Sequence, residues 1–216
     1  MATKKHRDYE NDYPSVTTVI DVLRKIGLEM WFKFNTPEFI KSESAKAKEI
    51  GTQLHEAIQS HIEINELKVD TQYPTEITNA LKSFMLFKKE CSQIKLKRSE
   101  VKMTSESLKV NGTLDCVGND GEEVILDWKS GNAKDDIKPP IYDEYIIQVA
   151  AYVNLYNETN KANIKKAYVL SLAKDKVSYN LEEIKEPLLQ LGFEIFLNCL
   201  DTFKNKKLLT ALRKEK

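Results

Sequence analysis

The sequence predicts a mixed α/β domain, with a sheet built on hairpins and flanked by helices. Three observations carry that expectation. Apolar residues recur at helical spacing through residues 14–90, residues 98–130 change to strand-like runs, and Pro139-Pro140 separates those runs from a further helical segment. In the first stretch Ser15 can cap a helix, and Val16, Val19, Ile20, Leu23 and Ile26 follow at helical spacing, so a helical region is expected over 14–34. A second helix is expected over about 38–64, with Ile50, Leu54, Ala57, Ile58 and Ile62 on one face. A third is expected from about Thr75 to Glu90, carrying Ile77, Leu81, Phe84, Met85 and Phe87. Strands are expected over 98–106, 109–117 and 122–130, the last two joined by the hairpin signal Gly118-Asn119-Asp120-Gly121. A helix over about 142–157, an apolar strand over 166–172, a pairing segment over 176–180 and a helix from about Glu182 complete the order.

The 216 residues suit a single domain, with a mainly helical part over 1–95, a sheet and its helix over 96–182, and a C-terminal helix over 183–216. No segment approaches the roughly 20 apolar residues of a membrane span, and the N-terminus lacks the apolar core of a secretory signal. A cytoplasmic protein with no membrane partner is expected. Cys91, Cys116 and Cys199 are scattered and odd in number, form no CxxC pair, and fall short of the four thiolates of an iron–sulfur cluster. They read as small buried hydrophobes. Zero net charge excludes a strongly basic nucleic-acid coat but not a nucleic-acid partner, because charge distribution matters more than its sum. Both ends are basic, Lys4-Lys5-His6-Arg7 at the start and Lys204, Lys206, Lys207, Arg213, Lys214 and Lys216 at the finish. Either end is a solvated tail or a contact to nucleic acid.

The chemistry concentrates in Gly112-Thr113-Leu114-Asp115 and Val124-Ile125-Leu126-Asp127-Trp128-Lys129-Ser130-Gly131. Strand side chains alternate faces, so Ile125, Asp127 and Lys129 point one way and Val124, Leu126 and Trp128 the other. The hairpin can bring Asp115 beside Asp127. Two carboxylates held together repel unless a cation sits between them, and a hard divalent ion prefers such oxygen ligands. The Trp128 backbone carbonyl can supply another. Lys129 would stand by the metal-bound water or a phosphate oxygen and stabilise developing negative charge. An Asp-x-Lys alone is more often a surface pair at a strand end, so Asp115 on the neighbouring strand and two further features matter. His55, in Gly51-Thr52-Gln53-Leu54-His55, edges an apolar helical face and is either a core histidine or a ligand. Gln148 and Tyr152 lie four residues apart on one helical face. His61 reads as ordinary core or surface, and His6 as tail.

Together these residues resemble the RecB-type branch of the PD-(D/E)XK nucleases. That branch has a helical Gly-x-x-x-His, a Gly-x-x-Asp, an Asp-x-Lys and a helical Gln-x-x-x-Tyr, here Gly51 to His55, Gly112 to Asp115, Asp127 to Lys129 and Gln148 to Tyr152. Each piece is weak, but four in the right order are specific. Pro14-Ser15-Val16-Thr17, His55-Glu56-Ala57, Gly112 to Val117, Ile125 to Lys129 and Gln148 to Tyr152 are similar to the mitochondrial genome maintenance exonuclease family and its bacterial and phage relatives. The resemblance implies a restriction-endonuclease-like core, Mg²⁺ or Mn²⁺, and action on single-stranded DNA from free ends. It implies His55, Asp115 and Asp127 as metal ligands and Lys129 as the catalytic lysine. It also matches Glu100 to a Glu that binds a second ion or orients water, with Glu106, Glu122 and Glu123 as surface. Leu114 stands where the superfamily's namesake proline would be. The chain begins close to the first matching residue, so a bacterial or phage setting is expected rather than a mitochondrial one.

The expected mechanism is in-line attack of water on the scissile phosphate, with single strands gripped by basic side chains and by stacking on Tyr13, Trp31, Phe32 or Phe34. For Trp31 and Phe34 core packing is an equal alternative, and Trp128 is expected to pack behind the sheet. Two other readings compete. An endonuclease of the same superfamily would cut circular strands. A non-catalytic nucleic-acid-binding subunit would show little carboxylate-dependent metal binding.

Overall fold

Alternation along the strands divides the molecule into two cores, one on each face of a single sheet. The computed structural model describes residues 9–64, 73–133 and 137–214, so the N-terminal basic cluster with His6, and Lys216, lie outside the described residues. The order is α1 (Val16–Ile20), α2 (Ile26–Phe34), α3 (Pro37–Ile64), α4 (Thr75–Glu90), β1 (Lys95–Ser105), β2 (Val110–Asn119), β3 (Glu123–Gly131), α5 (Asp143–Asn160), β4 (Lys166–Ala173), β5 (Tyr179–Lys185) and α6 (Leu188–Lys214). The five strands lie in sequence order. All neighbours are antiparallel except β3 and β4, which are parallel and joined through α5, since a parallel pair needs a crossover. This is the expected mixed sheet flanked by helices, with a helical N-terminal part.

Val124, Leu126 and Trp128 of β3 pack with Ile50, Leu54 and Ile58 of α3 and Leu81 and Phe84 of α4. Ile125 faces the other way, into a core with Val16 and Val19 of α1, Val149 and Val153 of α5 and Phe196 of α6. A Cβ at Gly192 would come 2.9 Å from the Ala150 Cβ, so a glycine lets α6 lie close against α5.

Two expectations about elements are corrected. The region 14–34 is two helices, because α1 stops at Ile20 and α2 begins at Ile26. The Ser15 hydroxyl caps α1 by accepting from the Thr18 N–H, but Val16-Thr17-Thr18-Val19-Ile20 is rich in β-branched residues that propagate a helix poorly. The segment from Glu182 to Lys185 belongs to β5 rather than to the last helix, which starts at Leu188 after Pro187. Its acidic side chains sit on an edge strand, where charge is tolerated, while Leu181 and Ile184 pack into opposite cores. Cys116 and Cys199 are buried as expected, and Cys91 is half-buried, its Sγ 3.6 Å from the Tyr179 hydroxyl.

Candidate active site

The site forms where the β2–β3 ladder ends. That ladder runs from Asn119↔Glu123 to Cys116↔Leu126, and Asp115 and Asp127 are the next residues on the two strands. Here a side chain replaces the ladder, because the Trp128 N–H donates to Asp115 Oδ2 at 3.0 Å. Asp115 is thereby fixed with one oxygen occupied and one turned toward α3. On the far side of β2, Ser99↔Cys116 and Val101↔Leu114 pair on either side of Glu100 and Asp115. Glu100 takes a left-handed backbone, φ 48°, in mid-strand. Such a conformation is costly for a residue with a side chain and recurs at functional positions.

α3 closes the group. His55 Nδ1 lies 3.3 Å from Asp115 Oδ1 and 3.7 Å from Glu100 Oε1. Ligand atoms of His55, Glu100 and Asp115 all fall within 4.8 Å of one another, the spacing of a group able to hold a metal ion. Burial disfavours a charged His55, but the Asp115 carboxylate beside it and Glu100 outweigh this and carry its pKa up to about 9. Asp127, 1% exposed, lies next to this triple and not within it. Its Oδ2 is paired with the Lys129 ammonium, and its buried Oδ1 accepts no hydrogen bond among the described residues. Burial, with Asp115 nearby, raises the Asp127 pKa to about 6 against the opposing pull of the Lys129 ammonium. Burial also works against the Lys129 charge, but Asp127 and Asp115 hold it protonated. An unpartnered buried carboxylate oxygen beside a carboxylate–imidazole cluster fits a divalent cation, which would relieve the mutual repulsion.

α5 supplies the opposite wall. Gln148 Nε2 donates to the Tyr152 hydroxyl at 2.9 Å. Burial, together with the Asp127 and Asp115 charges, raises the Tyr152 pKa well above its usual value, so the phenol keeps its proton. Gly112 has a packing role, since a Cβ there would come 3.1 Å from the Tyr152 ring and 3.2 Å from Leu155. Gly51 has none, because an added Cβ would meet nothing within 4 Å.

His55, Asp115, Lys129, Gln148 and Tyr152 line one cavity of about 310 Å³. Tyr9, Ser15, Thr17 and Thr113 also line it, and sequence reasoning did not assign them there. The Tyr9 hydroxyl donates to the Gly112 carbonyl at 2.5 Å and lies 2.8 Å from Thr113 Oγ1. The sequence signal for Ser15 and Thr17 is the stretch Pro14-Ser15-Val16-Thr17, in which Ser15 both caps α1 and faces the cavity. Trp128 packs behind the sheet, its ring 6.0 Å from His55 and 6.4 Å from Phe84. Tyr13 does not line the cavity; its hydroxyl donates to Glu106 at 3.1 Å and its ring lies under Lys109. Phe32 and Phe34 on α2 are exposed, Phe34 by 71%, so core packing does not account for them. His61 is buried against Phe84 beside Lys88, away from the acidic cluster.

Carboxylates and an imidazole able to hold a cation, a charged lysine and a protonated phenol make a site suited to hydrolysing a phosphate ester. The profile of the PD-(D/E)XK nuclease superfamily matches residues 28–192, about three quarters of the chain, and the chain belongs to that superfamily. Its substrate is therefore nucleic acid, and nucleases of this superfamily use divalent metals. No curated protein matches the chain. Among solved structures, SSO0001 is 15% identical, with 94% of this chain and 82% of that one covered and a TM-score of 0.47. A candidate exonuclease from Eubacterium rectale is 14% identical, with 71% and 68% covered and a TM-score of 0.46. The alkaline exonuclease LHK-Exo from Laribacter hongkongensis is 11% identical, with 93% and 94% covered and a TM-score of 0.39. No described helix is long and apolar enough to cross a membrane.

Proposed function

We propose that the chain is a Mg²⁺- or Mn²⁺-dependent exonuclease that hydrolyses single-stranded DNA from free ends. It falls in the RecB-type branch, akin to the mitochondrial genome maintenance exonuclease family. It serves replication, recombination or repair in the cytoplasm of a bacterium or a phage-infected cell. Residues 1–216 act as one nuclease domain, the helical N-terminal part contributing His55 to the catalytic sheet. The observation that carries this reading is the cluster of His55, Glu100 and Asp115 beside the Asp127–Lys129 pair.

His55, Glu100, Asp115 and Asp127 would hold the cation, with the Trp128 carbonyl as a further donor. The mainly oxygen donor set suits Mg²⁺ or Mn²⁺. When bound, the ion supplies Lewis acidity to the phosphate and to water. Lys129 places its fixed positive charge where the phosphate gains negative charge. Tyr152, kept protonated and oriented by Gln148, donates to a non-bridging phosphate oxygen. Glu100 orients the attacking water along the line opposite the leaving oxygen.

The test is hydrolysis of end-labelled linear single-stranded DNA with Mg²⁺, with EDTA, and with Lys129→Ala. Cleavage is expected with Mg²⁺ alone, and the lysine variant should lose about two to three orders of magnitude in rate. A folded preparation that cuts no strand under any divalent metal would leave only the binding-subunit alternative.

A further inference from the structure

A second cavity lies on the other side of the catalytic lysine. It has a volume of about 690 Å³, within the range of ligand pockets, and Gly131 of β3, two residues beyond Lys129, lines it. Its aromatic wall is Tyr145 and Tyr142 at the start of α5. The Tyr145 ring faces the Lys129 ammonium, 5.4 Å from the ring centre. The Tyr142 ring stands 5.3 Å from Tyr145 at 74°, and Tyr142 is 50% exposed. A chain of contacts thus runs from the reacting centre to an open aromatic face.

The electrostatics of the two cavities differ. The catalytic cavity contains carboxylate and imidazole, whereas the second is lined by Lys138 and Lys174 with no acidic residue among its described lining. Lys138 makes no ion pair among the described residues, and Lys174 is also near the Glu76 carboxyl, which it helps to hold below its usual range. An exposed aromatic face beside two lysines has the chemistry of single-strand recognition. Aromatic rings take the π-face of any base, and lysines follow the phosphates. A small apolar ligand would leave both cations unanswered, and a free inorganic anion would leave the tyrosines unused.

We propose that this cavity is a nucleotide subsite. Tyr142 stacks one unpaired base next to the scissile phosphate, Tyr145 spaces that base from Lys129, and Lys138 and Lys174 hold the flanking phosphates. The subsite rests on the nuclease reading and deepens it, because it explains a preference for unpaired strands. A base held in a duplex cannot offer its face to Tyr142.

The experiment is an abasic scan. A labelled oligothymidylate is given a single abasic unit at each position in turn, and its binding is followed by fluorescence anisotropy in EDTA, where nothing is cut. For wild type, one position close to the cleaved end should weaken binding roughly tenfold when its base is removed. Tyr142→Ala should weaken the intact strand by a similar factor and lose sensitivity at that position only, while Tyr142→Phe restores both. With Mg²⁺, Tyr142→Ala should raise KM and leave kcat nearly unchanged. Equal losses in wild type and Tyr142→Ala at every abasic position would overturn the subsite while leaving metal-dependent cleavage intact. A wild type that binds no single strand would overturn both the subsite and the single-strand reading.

Discussion

As a proposed metal ligand, His55 would link metal binding to pH. Its pKa in the folded chain rises from 6.5 to about 9, so without metal the native state holds this proton more tightly than the unfolded chain does. The stabilisation is complete below about pH 6.5 and is lost as pH climbs through about 9. In EDTA the thermal midpoint should therefore fall across that window, and His55→Gln should flatten the fall. A wild-type curve as flat as that of the variant would remove His55 from any strong pairing with Asp115. A cation bound through His55, as proposed, would displace the same proton, so apparent Mg²⁺ affinity should rise over the same range. Calorimetry in buffers of different ionisation enthalpy would read the released proton directly.

At the scale of elements, the site depends on β2 lying close to α5. Gly112 makes that approach possible, and an alanine there would press on Tyr152 and Leu155 at 3.1 and 3.2 Å. Gly112→Ala should cost about 1–3 kcal/mol of stability, the usual penalty for overpacking. It should also slow cleavage by moving Tyr152, and thermal melts paired with rates would check both. Much of this architecture was legible in the sequence. The period-two pattern of β3 and the Gly118–Gly121 turn allowed Asp115 and Asp127 to come together at the end of the ladder, and the four-residue spacing of Gln148 and Tyr152 set them together. What was hidden depends on tertiary contact. The break between α1 and α2 lies in a segment whose apolar spacing runs on past it. The acidic run at Glu182 and Glu183 reads as helix until an edge strand claims it. Nothing in the sequence marks Glu100 for a left-handed backbone, or assigns the Asp127 ion pair to Lys129 while leaving Glu100 nearer His55.

For the whole molecule, the candidate site lies between two helical layers, with α3 giving His55 from one face and α5 giving Gln148 and Tyr152 from the other. Asp115 and Asp127 are only 3% and 1% exposed, so a phosphate must be carried into a cleft rather than laid on a surface. The single-strand reading proposed above is in keeping with a cavity of only about 310 Å³. Zero net charge offers little long-range steering, so entry depends on local contacts along the path. A strand with an end can be fed into such a cleft, whereas a closed circle must present a loop and carry two strands past the same walls. Linear single strands should therefore be degraded at least tenfold faster than covalently closed circles of the same sequence. Nicking the circle once should restore the linear rate. Time courses on the three substrates under one Mg²⁺ concentration would measure this, and equal rates on circle and line would make the enzyme an endonuclease built on the same catalytic cluster.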